Sequence, residues 1–139
     1  TSCDMDLIGP KLAAIEGTPL GLYNAHTPTA LPALLNGAAG VSPIAANYYP
    51  SLFARLCATF EPHPEKARAL QQALTLMEGV ARSRYPSAAK AYLRDIGLPV
   101  GITCRTGGAT LSVDDKLLLQ ALRAQVQALT AQEVGGELT

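Results

Sequence analysis

Leu22-Tyr23-Asn24-Ala25-His26-Thr27, a run of helical character, and then Gly40-Val41-Ser42-Pro43-Ile44-Ala45-Ala46-Asn47 together decide the fold. This stretch reads as a short strand, a short helix and a second short strand. Each strand ends in small or polar residues, which is where an α/β barrel places its substrate contacts. A repeated β-then-α order argues for a parallel sheet. Two such units cannot close a barrel, so further strands are expected beside them.

Outward from this stretch the pattern is helical. Residues 5–15 carry Leu7, Ile8, Leu12 and Ile15 along one face, with Asp4 as N-cap and Gly17 as stop. Pro10 belongs in the first turns of that helix or bends it. The first strand is expected over residues 20–23, the next helix over 29–35, and the second strand over 40–44. Asn36 and Gly37 both tolerate the left-handed conformation that ends a helix. Past Asn47, Pro50 opens a helix with Leu52, Phe53, Leu56 and Phe60 on its apolar face. The segment 61–64 is a stiff connector. A longer helix carries Ala67, Leu70, Leu74, Met77 and Ala81 at spacings of three and four. Pro86 opens another helix, stopped by Gly97 and Pro99, and 101–108 is a loop. Ser112 is a good N-cap, and Asp114 and Asp115 favour the positive end of the last helix. That helix places Leu119, Leu122, Val126 and Leu129 on one stripe, and the tail from Val134 is expected to fray.

At 139 residues, the chain is long enough for one ordinary domain with its own core. Eleven basic residues balance eleven acidic ones. With no basic stripe, nucleic acid is not an expected partner. No apolar run reaches membrane-spanning length, so no membrane partner is expected either. Residues 1–6 lack the basic and apolar regions of a signal peptide. The three cysteines, Cys3, Cys57 and Cys104, are far apart, which argues for reduced thiols and a cytoplasmic location. Cys57 reads as a small core hydrophobe. The chain starts at Thr1, which fits removal of an initiator methionine or a start inside a longer chain.

Among residues that could carry chemistry, His26 is the sharpest candidate. At the end of a barrel strand it could hydrogen-bond substrate or move a proton. It could equally cap the following helix or fill the loop. His63, between two prolines, reads as a solvated loop residue. Ser42 either contacts a substrate carboxylate or is satisfied by backbone. Asn47 reads as the cap of the helix starting at Pro50, and Tyr48 and Tyr49 as packing residues. Lys11, Lys66, Lys90 and Lys116 all fall on expected helices, so none looks like an imine-forming nucleophile, which needs a desolvated pocket. Lys90 is expected to pair structurally. Gly107-Gly108 lacks the lysine and hydroxyl of a phosphate loop. The histidines and cysteines show no metal-ligand spacing, so neither metal nor cofactor is expected. No Gly-x-Ser-x-Gly elbow is present.

Taken together, several runs resemble the dihydrodipicolinate synthase / N-acetylneuraminate lyase family. They are Thr1-Ser2-Cys3-Asp4, Leu22-Tyr23-Asn24-Ala25, Gly40-Val41-Ser42-Pro43-Ile44-Ala45-Ala46-Asn47-Tyr48-Tyr49-Pro50, Pro86-Ser87-Ala88-Ala89-Lys90, Gly97-Leu98-Pro99-Val100-Gly101 and Arg105. Their order and spacing carry the likeness, which extends to about Ala128. The resemblance implies the C-terminal part of a (β/α)8 TIM barrel, its last two strands, followed by a C-terminal helical extension. A whole barrel takes roughly 250 residues. Residues 1–50 would be the terminal βα units, 51–133 the last barrel helix and the extension, and 134–139 a frayed tail.

Family members form a Schiff base between a strand-six lysine and pyruvate or another 2-oxo acid. Thr1-Ser2-Cys3-Asp4 would match the end of the Lys-x-Thr-Ser-Gly-Asp type motif, with Cys3 replacing glycine. The lysine would then lie two positions before Thr1, so no catalytic residue falls within the chain. The strand-five tyrosine that relays protons would also lie outside it. By the same matching, Thr1 is a substrate-contacting threonine. Ala25 stands for a glycine whose backbone approaches substrate. His26 and Thr27 read the distal part of substrate. Ser42 is the residue whose carbonyl faces the Schiff base, and Ile44 replaces a sugar-contacting serine. The neuraminate lyases carry an acidic pair where this chain has Thr27-Pro28, which disfavours sialic acid. The implied activity is that of an aldolase, lyase or dehydratase on a smaller 2-oxo acid, such as a 2-keto-3-deoxy sugar acid, in a homotetramer. A dihydrodipicolinate synthase-type condensation stays open. So does a different class of function, in which residues 50–129 form a non-catalytic helical interaction module.

Overall fold

The computed structural model describes residues 5–105 and 107–134. Its order is helix α1 (Met5–Ile15), strand β1 (Tyr23–Asn24), helix α2 (Ala30–Leu35), strand β2 (Gly40–Val41), and helices α3 (Pro50–Thr59), α4 (Pro64–Arg82), α5 (Ser87–Asp95) and α6 (Val113–Val134). Single 3-10 turns precede α2 (Thr27–Thr29) and α3 (Ile44–Asn47). The expected Asp4 cap, Thr1, Cys3 and residues 135–139 lie outside the described residues.

β1 and β2 pair in parallel, with Tyr23 opposite Gly40 and Asn24 opposite Val41. The parallel pairing is as the βαβ order requires. Both strands are shorter than the sequence suggests. The expected strand over 20–23 begins late because the Leu20 amide turns back to the Thr18 hydroxyl, at 3.3 Å. Ladder-like bonds then run from Ala39 N to Leu22 O (2.8 Å) and from Ser42 N to Asn24 O (2.8 Å). The expected strand over 40–44 stops at Val41, because Pro43 has no N–H to give to a ladder and caps the 3-10 turn instead. The helix expected over 29–35 likewise begins at Ala30, after the 3-10 turn that Pro28 helps set.

α1 occupies its expected span and carries Pro10 as its sixth residue, so the helix continues past a position that lacks a hydrogen-bond donor. Gly17, at φ 73°, provides the left-handed stop, and Gly37, at φ 95°, does the same after α2. Ser112 and Asp115 form a reciprocal capping pair at the start of α6. The Asp115 amide donates to Ser112 Oγ (3.1 Å), and the Ser112 amide and hydroxyl donate to Asp115 Oδ2 (2.9 Å each).

One core joins α2 through α6. Leu52, Phe53 and Leu56 of α3, Ala67, Leu70, Leu74, Met77 and Ala81 of α4, and Leu119 and Leu122 of α6 are all buried in it. Phe60, Cys57, Val126 and Leu129 pack at its margin. Tyr49 stacks on Phe53 (5.7 Å between ring centres) and Tyr48 meets Tyr92 edge-on (5.1 Å), so the tyrosine pair serves packing. Arg55 of α3 donates to Leu129 O (2.9 Å), tying α3 to the C-terminal half of α6. A smaller cluster joins Ile8 of α1 to Ala33 and Ala38. Among the described residues, no helix is long and apolar enough to cross a membrane.

Candidate functional site

Because β1 and β2 run in parallel and in register, their C-terminal ends lie side by side. The loop Ala25-His26-Thr27 and the loop Ser42-Pro43-Ile44 therefore leave the sheet at one edge, stitched by the bond from Ser42 N to Asn24 O (2.8 Å). Ala25, His26 and Ile44 are half-buried there, and Ser42 is exposed. The Ser42 side chain has no hydrogen bond among those described, while its amide is used by the sheet. Thr27 differs from the others. It is fully buried, and its hydroxyl finds no partner among the described residues. Thr1 lies outside the described residues.

Asn24 organises the first loop. Its side chain is fully buried at the end of β1. Nδ2 donates to Thr29 O (3.1 Å) and Thr29 Oγ1 (2.9 Å), and Oδ1 accepts from the His26 amide (3.2 Å). The His26 ring lies with Nδ1 3.2 Å from Thr29 Oγ1. That contact fixes the ring by its Nδ1 edge. His26 sits at the N-cap position of the 3-10 turn but makes no side-chain cap bond, so it is a ring held in place by the loop and does not cap the turn. Asn47 does not cap α3 as expected. Tyr49 occupies the cap position, and Asn47 Nδ2 donates back to Ile44 O (2.9 Å), closing the 3-10 turn.

One contributor was not evident from the sequence. Gln71 of α4 reaches across to the same loop. Its Oε1 accepts from the Leu31 amide (2.8 Å), and its Nε2 donates to Thr27 O (2.9 Å) and Thr75 Oγ1 (2.9 Å). The Leu31 amide is one of the helix N-terminal donors that has no partner within the helix. Thr29, the N-cap of α2, makes no side-chain cap bond, so Gln71 supplies the missing acceptor from outside. A signal for Gln71 exists in the sequence: it stands four residues after Ala67, on the apolar stripe of α4 where a polar residue needs a partner.

A second buried polar cluster lies away from this edge. Glu78 Oε2 and the hydroxyls of Tyr48 and Tyr49 lack partners among the described residues. Burial pushes both phenols well above their ordinary range, and for Tyr49 the charge of Glu78 adds to the effect. Arg82 Nε stands 3.9 Å from Glu78 Oε1.

His63 is exposed at the start of α4, as a loop residue should be. Lys11, Lys66, Lys90 and Lys116 all lie on helices, and Lys90 Nζ donates to Thr103 O. Cys57 is partly buried, and burial raises its thiol above the usual value against the opposing effect of a hydrogen bond with the Val41 backbone. Among the described residues, no group of three or more histidine, cysteine, aspartate or glutamate side chains could hold a metal ion.

This is an α/β unit in which two parallel strand-ending loops meet at one edge and helices pack behind them. The family model of the dihydrodipicolinate synthetase family matches residues 6–128, and the chain belongs to that family. A crystal structure described as a "putative dihydrodipicolinate synthetase from Pseudomonas aeruginosa" is similar to it, with 31% identity and a TM-score of 0.72 over 88% of this chain. The chain spans 42% of that structure's length, as a partial barrel of the family would. No curated protein matches.

Proposed function

We propose that the chain supplies the last two strands and the C-terminal helical extension of a (β/α)8 barrel that works as a class I, Schiff-base aldolase, lyase or dehydratase on a 2-oxo acid. Residues 1–50 would form the terminal βα units and 51–133 the last barrel helix and the extension. The observation that carries the reading is the parallel register of β1 and β2. It sets the His26 and Ser42 loops together at the strand ends, where barrel enzymes hold substrate.

In the proposed chemistry, a lysine preceding Thr1 attacks the 2-oxo carbon of the substrate and water leaves, giving an imine. A base takes the proton of the C4 hydroxyl, the electron pair of the breaking C3–C4 bond passes to the protonated imine, and C4 leaves as an aldehyde. The resulting enamine is reprotonated at C3, and water hydrolyses the imine to free the 2-oxo acid and the lysine amine. This chain binds and orients. The Ser42 carbonyl faces the imine, the Ala25 backbone lies against the substrate, and Thr1 contacts it. His26, its Nδ1 edge occupied by Thr29, presents the other edge of its ring to the distal part, beside Thr27 and Ile44. A 2-keto-3-deoxy sugar acid fits this set better than sialic acid, since one histidine and an isoleucine replace the more polar contacts. A condensation of the dihydrodipicolinate synthase type would share the same imine. The working form is proposed to be a homotetramer.

Sodium borohydride added with pyruvate to the full-length protein tests the reading. The expected result is irreversible attachment at a lysine other than Lys11, Lys66, Lys90 and Lys116. Attachment at one of those four, or no attachment, ends it.

A second reading has one observation in its favour. Within the core, α3 to α6 pack on one another through Leu52, Leu56, Leu74, Tyr92 and Leu122, which gives residues 50–129 the packing of a helical unit and suits a non-catalytic interaction module.

A further inference from the structure

We infer that Gln71 is a positioning residue for substrate choice: from the helical extension, it sets the loop that presents His26 to the distal end of the substrate. The inference rests on the reading of that edge as the substrate site.

The loop from Asn24 to Leu31 is held at two places by two different parts of the chain. Asn24 holds its near side through Thr29 O, Thr29 Oγ1 and the His26 amide. Gln71 holds its far side through Thr27 O and the Leu31 amide. Gln71 is 8% exposed, so water does not readily replace it. Its amide cannot turn over, because Nε2 is also engaged by Thr75 Oγ1 (2.9 Å), and that hydroxyl donates to Gln71 O (2.8 Å). The loop atoms that Gln71 meets, Thr27 O, the Leu31 amide and, at 3.5 Å, Pro28 O, are all backbone. Without it, the Leu31 amide would be left buried and unpaired and Thr27 O would keep only the Ala30 amide, so the 3-10 turn that carries Thr27 would shift until the Leu31 amide found a new partner. His26 directly precedes that turn and hangs on it through Thr29, so its ring moves with it. Gln71 itself is behind the loop and touches no substrate. The imine-forming end of the substrate is proposed to be served by the second loop, at Ser42, whose backbone is fixed by the sheet. A disturbance at Gln71 should therefore be felt at one end of the substrate and spare the other.

The test compares two 2-oxo acids on the full-length protein carrying Gln71→Met, which keeps the volume and removes the hydrogen bonds. Half-saturating concentrations in borohydride trapping are read for pyruvate and for 2-keto-3-deoxygluconate. The ratio of the second to the first is expected to rise about tenfold, the loss of roughly one good hydrogen bond. The amides of residues 26–31 are expected to exchange faster, with those of α4 unaffected. Thr75→Val, a milder change, should move the ratio the same way by about two- to threefold, and it decides the matter if Gln71→Met does not fold. Gln72→Met, on an exposed neighbour, serves as control and should leave the ratio alone. An unchanged ratio in the variants, or an equal rise for both acids, overturns the inference. Failure of the unsubstituted protein to be trapped by either acid instead overturns the functional reading beneath it.

Discussion

At the scale of single residues, the site edge depends on buried amides more than on charged groups. Asn24→Leu keeps the branched outline but removes the partners of Thr29 O and the His26 amide. It is expected to cost about 1–3 kcal/mol in urea unfolding, with the first loop loosened. Gly40 has a different constraint. A Cβ placed there would stand 2.7 Å from the Tyr23 ring, so Gly40→Ala forces that ring off the sheet. Tyr48 and Tyr49 give a pH prediction. Their shift is upward, so the fold favours the neutral phenol. That contribution is complete below the ordinary tyrosine value of 10.0 and is lost as pH rises above it. Ultraviolet titration should show these two ionising only together with unfolding.

At the scale of elements, the start of α6 is the clearest lever. Ser112→Ala removes the cap and is expected to cost about 0.5–2 kcal/mol in denaturant unfolding. Hydrogen bonds from the Ser112 amide and hydroxyl hold the Asp115 carboxyl below its ordinary value, with a smaller contribution from Arg84. Support from this group is therefore present above pH 3.8 and disappears as pH falls through its lowered value. Circular dichroism on acidification should show α6 weakening there, and Ser112→Ala, which removes the hydroxyl and leaves the amide, should shrink that acid step without abolishing it. In the core, Leu74→Ala is expected to cost about 2–5 kcal/mol, since Leu74 is fully buried on the α4 stripe. That stripe was readable from spacing alone: Ala67, Leu70, Leu74, Met77 and Ala81 are all buried. Strand limits were not, because they turn on which amides the ladder engages, and a proline or a turning threonine hydroxyl decides that locally. Gln71 escaped notice for a related reason. Its partners are backbone atoms 44 and 40 residues away, and backbone atoms leave no mark in a sequence.

At the scale of the whole molecule, the two-stranded parallel sheet and its helices leave apolar side chains uncovered. Leu7 of α1, Leu20, Tyr23 of β1 and Leu35 of α2 are 48–67% exposed. On the barrel reading, other strands and helices cover such surface. Residues 1–139 produced alone are then expected to bind a hydrophobic dye and to self-associate, and the full-length protein to do neither. A dye-silent monomer would favour the interaction-module reading. Finally, the latch between Gln71 and Leu31 spans 40 residues of sequence. At ribosomal speeds of about 5–20 residues per second, the loop is synthesised roughly two to eight seconds before the side chain that secures it. During translation the set of the His26 loop thus waits for a helix made after it.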